Sequence, residues 1–223
     1  FSYKEAFAVL EKKSKSPYLP LLERMVALCA LLKRKRFERG SIDFALGEGV
    51  ILVDKKGVPQ GIERVEYDIT HQMIEEFMLK ANEIVATHLA KNGKELIFRI
   101  HEEPSPETFE DFYNYARVLG FSLPAKPTHL DIQHLFERAK GSPLSHQLSV
   151  SFIRSMKLAL YSPDNIGHYG LALEHYCHFT SPIRRYTDLV IQRLLFEEDE
   201  PSSDLTEVAR ICSEKERISF RAE

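Results

Sequence analysis

Two adjacent arginines, Arg184 and Arg185, follow Thr180-Ser181-Pro182-Ile183 in the stretch of the chain richest in groups able to handle a phosphate. Ser181 suits a helix N-cap and Pro182 the first helical position. Leu189, Val190, Leu194 and Leu195 continue the pattern as an apolar side. The spacing predicts a helix that starts at Pro182, with both arginines in its first turn. Cations there oppose the positive end of the helix dipole, so stability alone does not ask for them. Free amides, the dipole and two guanidinium forks aimed one way make an anion site suited to phosphate. The competing reading leaves the arginines solvated or paired with Asp188, one turn on. His168, His178, Tyr169, Tyr176 and Phe179 crowd the approach, which is dense for a plain loop. Gly167 and Gly170, flanking His168-Tyr169, predict close approach of the backbone by a ligand or by another strand.

The elements that must position these residues can be read in order. Ser2 caps a helix from Tyr3 to Lys13, and Ser16-Pro17 ends it. A second helix runs from Pro20 to Phe37, with Leu21, Leu22, Met25, Leu28, Cys29 and Leu32 as its buried stripe. Its basic tail, Lys33 to Arg36 with Arg39, complements a helix C-terminus closed by Gly40, or contacts phosphate; the first reading is preferred. Segments around Ser41–Val53 and Gly61–Tyr67, joined at Lys56-Gly57, form a β-hairpin. Asp68 to Ala90 is the longest helix, with Ile74, Met78, Ala81, Val85 and Leu89 as the core stripe and Glu76 on the solvent side. Glu75 and Asn82 share a flank with Leu79 and Ala86, which predicts a polar site within a covered face. A strand, Leu96–Ile100, leads to His101-Glu102-Glu103, read as a strand end in preference to a metal site. Helices follow over Ser105–Leu119, Leu130–Ala139 and Ser145–Tyr161, the last burying Leu148, Phe152, Met156, Leu158 and Leu160. Beyond the arginines come an acidic loop, Glu197–Asp204, and a last helix from Leu205. The fold class is α+β, predominantly helical, with a small β-hairpin or sheet.

Composition narrows the function classes. The 223 residues hold one large domain or two small ones, and 43% hydrophobic content allows a sizeable core. A net charge of -3 gives no global attraction to nucleic acid, so any such site is a local groove. Three scattered cysteines, Cys29, Cys177 and Cys212, point to a reducing compartment, and the expected location is cytoplasmic. No apolar run is long enough for a membrane span. The chain begins at Phe1 and is read as a fragment of a longer protein.

His168-Tyr169-Gly170-Leu171, then Tyr176-x-His178-Phe179-Thr180-Ser181-Pro182-Ile183-Arg184-Arg185-Tyr186-x-Asp188-x-x-x-Gln192, resembles the signature of the ribonuclease II / ribonuclease R (RNB) family. Cys177 stands where that family has a small residue. The resemblance implies a processive, magnesium-dependent 3′→5′ exoribonuclease that releases 5′-mononucleotides and acts on the 3′ end of single-stranded RNA, in company with the RNA decay machinery. The alternative is a catalytically inactive relative that binds RNA or a protein partner.

Residue by residue, the resemblance implies that Arg184 clamps the scissile phosphate and that Arg185 is structural, paired with Asp188. Ile74-Glu75-Glu76-x-Met78-x-x-Ala81-Asn82 is similar to a family helix whose first glutamate holds the terminal ribose hydroxyls, which assigns that role to Glu75 and puts Asn82 beside it. Tyr3 and Phe44 are the matching aromatic contacts; Phe44 is equally readable as a core strand residue. His168, Tyr169, Ser181 and Arg185 complete the expected RNA-facing set. Glu223 matches a glutamate near the family's active site. The family's magnesium ligands form an Asp-x-x-Asp-x-Asp-Asp run, and no such run occurs among the scattered aspartates here. The resemblance covers residues 1–223 and implies that they are the C-terminal half to two-thirds of the catalytic domain, with the magnesium ligands mostly in the part upstream and the OB-type domains absent.

Overall fold

A computed structural model of the chain describes residues 1–42, 49–64, 67–124, 126–196 and 204–222. Phe44, Glu223 and most of the acidic loop lie outside the described residues. The chain divides into two compact units, Phe1–Lys35 with Asp43–Phe77, and Arg36–Ile42 with Met78–Glu223.

In the first unit, α1 (Tyr3–Leu10) opens on the predicted cap: the Ser2 hydroxyl accepts from the Glu5 N–H, and the Glu5 carboxylate accepts from the Ser2 N–H. Helix α2 (Leu19–Arg39) sends Leu22 and Cys29 into a small core with Ala6, Val9 and Met73. Leu21 and Leu28, expected in that stripe, are instead half-exposed, because only one narrow face of α2 is covered. Strands β1 (Gly49–Val53) and β2 (Pro59–Arg64) form the expected antiparallel hairpin. Its turn is shaped by Asp54, whose carboxylate accepts from the N–H groups of Lys56 and Val58, and Gly57 takes the left-handed conformation that the turn needs.

Helix α3 (Ile69–Lys91) belongs to both units. Its buried face is rotated from the predicted one. Met73, Glu76, Asn82, Val85, Ala86 and Leu89 are buried, whereas Met78 is exposed. Glu76 was expected to face solvent and is 3% exposed. The apolar stripe misled here because polar side chains occupy covered positions on this helix, and hydropathy cannot place those.

The second unit is built on a two-stranded antiparallel ribbon, β3 (Phe98–Ile100) with β4 (Leu160–Ser162), paired Phe98 to Ser162 and Ile100 to Leu160. Helices α4 (Pro106–Val118), α5 (His129–Ala139) and α6 (Ser145–Ser155) pack through Phe112, Phe136 and Phe152, whose rings meet edge to face. Ser105 and Thr128 cap α4 and α5. The main core gathers Leu89, Leu96, Ile97, Phe98, Cys177, Ile191, Leu194 and Ala209, which joins α3 to α7 (Tyr186–Phe196) and α8 (Leu205–Ala222).

Three expectations fail in this unit. Helix α6 stops at Ser155 rather than Tyr161; the chain turns extended at Met156 and Leu160–Ser162 becomes β4. Leu158, predicted to be buried, is 70% exposed. Pairing with β3 overrides the helical propensity of Lys157-Leu158-Ala159-Leu160. The helix after the arginines starts at Tyr186, not at Pro182.

Candidate functional site

In the second unit, the end of β3 and the Gly167–Leu173 loop are sewn together through histidines. The His101 N–H donates to the Gly167 carbonyl at 3.0 Å, and the Tyr169 N–H donates to the His101 carbonyl at 2.8 Å. His101 and His168 thus form a parallel bridge, and the close approach signalled by the glycines is by another strand. The His101 ring donates from Nε2 to the Lys157 carbonyl at 2.8 Å, which leaves Nδ1 to accept from the Gly170 N–H at 3.1 Å. That pair of bonds requires one neutral tautomer, and burial lowers the pKa of His101 accordingly. A side chain on Gly170 would press on the same ring. His129 donates from Nε2 to the Tyr169 carbonyl at 3.0 Å and packs on the Tyr169 ring. Burial raises the pKa of the Tyr169 hydroxyl to about 12, with Glu103 adding to it.

His168 and His178 lie deeper. Burial first, then the neighbouring His101 and Arg99, push His168 down to about 3. Burial, then Arg185 and Arg99, push His178 down to about 2. Both rings are neutral at pH 7, so the positive charge here belongs to arginine. His178 Nδ1 meets the Tyr161 hydroxyl at 2.9 Å, Arg99 lies 4.5 Å over the Tyr161 ring, and Arg99 Nη1 pairs with Glu216 of α8 at 2.7 Å. The sequence reading missed Tyr161 because β4 was read as the end of a helix. Its one available signal was Pro163, which demands an extended residue ahead of it.

The Ser181–Arg185 segment is a turn, with the Arg184 and Arg185 N–H groups pointing at the Ser181 carbonyl at 3.3 and 3.1 Å. Ser181 is therefore not a helix N-cap; Asp188, fully buried in the first turn of α7, reaches back to it. Its carboxylate accepts from the Ser181 N–H at 2.7 Å and from Arg185 through Nε at 2.8 Å and Nη2 at 2.7 Å. The expected Arg185–Asp188 pair is therefore present. Arg184 is exposed, and no acceptor among the described residues engages its guanidinium.

Asn82 of α3 is 3% exposed. Its amide donates to the Tyr176 hydroxyl at 3.1 Å and accepts from the Phe179 N–H at 3.0 Å. Asn82, Tyr176, Phe179, Ser181, Arg185 and Asp188 thus come together in one place.

Tyr3 and Glu75 fall in the first unit. The Tyr3 ring stacks on His71 at 4.0 Å, Tyr67 packs against the same imidazole, and the Tyr67 hydroxyl donates to the Glu75 carboxylate. His71 Nδ1 meets Asp68 at 3.0 Å. His71 and Tyr67 were not singled out from sequence, since neither carries a motif. Among the described residues no group of three or more His, Cys, Asp and Glu side chains could hold a metal ion. No described helix is long and apolar enough to cross a membrane.

Residues 1–198 match the RNB domain. Ribonuclease R of Chlamydia pneumoniae is 42% identical over 227 residues, an alignment that covers all of this chain and 33% of that protein. Ribonuclease R of Aquifex aeolicus is 40% identical over 238 residues, covering all of this chain and 34% of that protein. The structure of Mycoplasma genitalium RNase R in complex with ribose methylated single-stranded RNA superposes with a TM-score of 0.90 at 29% identity, over 97% of this chain and 37% of that one. The chain spans about a third of the length of the curated relatives it matches.

Proposed function

The chain belongs to the RNB domain family, and from that premise we propose that it is the C-terminal part of the catalytic domain of a 3′→5′ exoribonuclease. The observation that carries the reading is the unequal treatment of two neighbouring arginines. Arg185 is neutralised by buried Asp188, while Arg184 is presented on the same turn with its charge uncommitted among the described residues. An uncommitted guanidinium on a turn whose backbone is held suits charge that builds on a phosphoryl oxygen during hydrolysis. In this reading Arg184 clamps the scissile phosphate and Arg185 holds the turn. Glu75 accepts from the 2′- and 3′-hydroxyls of the last ribose, which favours RNA over DNA. Tyr3 and Phe44 stack on bases, and Glu223 completes the catalytic set.

Processive action, release of 5′-mononucleotides, work alongside the RNA decay machinery and a cytoplasmic location belong to the same proposal. So does magnesium, whose chemistry would be activation of the attacking water. No set of described residues here fits it as ligands, and its carboxylates are proposed to lie mostly in the part of the catalytic domain upstream of these residues.

The test is a 5′-labelled single-stranded RNA incubated with Mg²⁺ and a protein carrying this chain at the length of its relatives, wild type against Arg184→Ala. The expected result is a ladder shortening from the 3′ end, with kcat lowered roughly 10²-fold by the substitution and RNA affinity nearly unchanged. An equal loss of affinity and turnover makes Arg184 a general phosphate contact. A wild-type protein that binds RNA without shortening it is the inactive relative.

A further inference from the structure

The Arg184 turn is closed by its own backbone bonds to the Ser181 carbonyl, and the chain leading into it is anchored from outside. Phe179, five residues ahead of Arg184, has its ring packed against the main core and both of its backbone polar groups bound by side chains from two different helices. The Asn82 amide oxygen of α3 accepts from the Phe179 N–H at 3.0 Å. The Gln192 amide of α7 donates to the Phe179 carbonyl at 3.1 Å. Asn82 also donates to the Tyr176 hydroxyl, three residues further back, at 3.1 Å. A residue gripped on its N–H, its carbonyl and its side chain is held through both of its flanking peptide groups. Asp188 then binds the Ser181 N–H, so the fixed points fall at Tyr176, Phe179 and Ser181 and continue through Arg185.

Backbone groups in a loop are usually satisfied by water or by neighbouring backbone, at no demand on sequence. Here the partners are instead side-chain amides from two helices, Asn82 buried on α3 and Gln192 half-buried on α7. What they add is position, because an interaction that acts only in the transition state is sensitive to displacements on the order of 1 Å.

We propose that Asn82 and Gln192 are positioning residues for Arg184: together they clamp the Phe179 peptide and thereby set the place from which the Arg184 guanidinium meets the phosphate. Asn82 then acts through the turn and does not touch RNA. The inference rests on the reading of Arg184 as the phosphate clamp, and the experiment separates the two.

Gln192→Met keeps length and shape and deletes the donor to Phe179. It is made in a protein carrying the chain at its relatives' length, alone and combined with Arg184→Ala, and single-turnover rates and RNA affinity are measured. The expected result is a rate lowered about tenfold at unchanged affinity in the wild-type background, with no further loss when Arg184 is already alanine. Equal loss in both backgrounds, or a weakened affinity, means that Gln192 acts on RNA directly or elsewhere, and overturns the inference. A slow Arg184→Ala beside a Gln192→Met at the wild-type rate removes the positioning role and leaves the clamp standing. An Arg184→Ala at the wild-type rate removes the clamp and the positioning role with it. If Gln192→Met does not fold, Asn82→Leu is read in the same cycle; loss of the fold in both assigns the amides to stability alone and overturns the inference.

Discussion

The Phe179–Asp188 turn and the Tyr3–Glu75 cluster are two polar constellations built on opposite plans. In the turn, the controlling groups are buried: Asp188 is fully enclosed, Asn82 is nearly so, and each bonds to backbone as well as to side chains. In the cluster, Tyr3 and Tyr67 are about half-exposed, and the contacts that Tyr3, Tyr67, Glu75 and the His71 ring make with one another run from ring to ring and from side chain to side chain. Bonds to backbone fix the course of the chain, whereas stacked exposed rings can shift without disturbing it. The first plan suits one charge that must sit in one place. The second suits bases of any identity, since every base offers a flat face.

The contrast is broken most severely at Asp188. Asp188→Ala leaves Arg185 without its buried partner and the Ser181 N–H without its acceptor, and should destabilise by about 3–5 kcal/mol. A denaturant titration checks it, and a midpoint near wild type means that the turn is held by something other than this carboxylate. Next in size is the pH response. His168 and His178, held to about 3 and about 2, rise to about 6.5 on unfolding. Above about pH 6.5 both states are neutral and stability is flat; as pH falls further the unfolded chain takes up protons and the folded chain does not. Stability should therefore drop on acidification by about 1.4 kcal/mol per pH unit for each ring until the folded values are reached. Melting temperatures between pH 7.5 and 5 show it, and a profile that stays level places a proton on these rings in the folded protein.

Two smaller changes sharpen the other side of the comparison. Glu75→Gln should weaken RNA affinity about tenfold and narrow the preference for RNA over DNA, while leaving the melting temperature alone. Unchanged affinity separates Glu75 from the ribose. Tyr67→Phe removes the hydroxyl that Glu75 accepts, and because the pair is exposed it should alter stability by less than about 0.5 kcal/mol. A larger loss means the cluster is as rigid as the turn, and the distinction between the two plans fails.

Local signals were legible where short-range physics dominates. The Ser2 cap, the hairpin around Lys56-Gly57, the extents of α4, α5 and α8 and the Arg185–Asp188 pair could all be read from neighbouring residues. The family signature was legible for the same reason, being contiguous from His168 to Gln192. The start of α7 was not, because Ser181 and Pro182 are good helix-start residues. Only the buried Asp188 carboxylate, arriving from the next turn and binding the Ser181 N–H, makes the chain turn there instead.

What the sequence by itself determined, then, is the set of chemical groups, the family and most of the local elements, since caps, turns and periodicity act over a few residues. The tertiary structure decided which groups work together. Asn82 reaches Phe179 across 97 residues of chain, β4 forms only because β3 is there to pair with it, and Glu76 is buried although its neighbours predict exposure. Those outcomes depend on which face of each helix meets another surface. That is a property of the packed chain, and no short window of residues contains it.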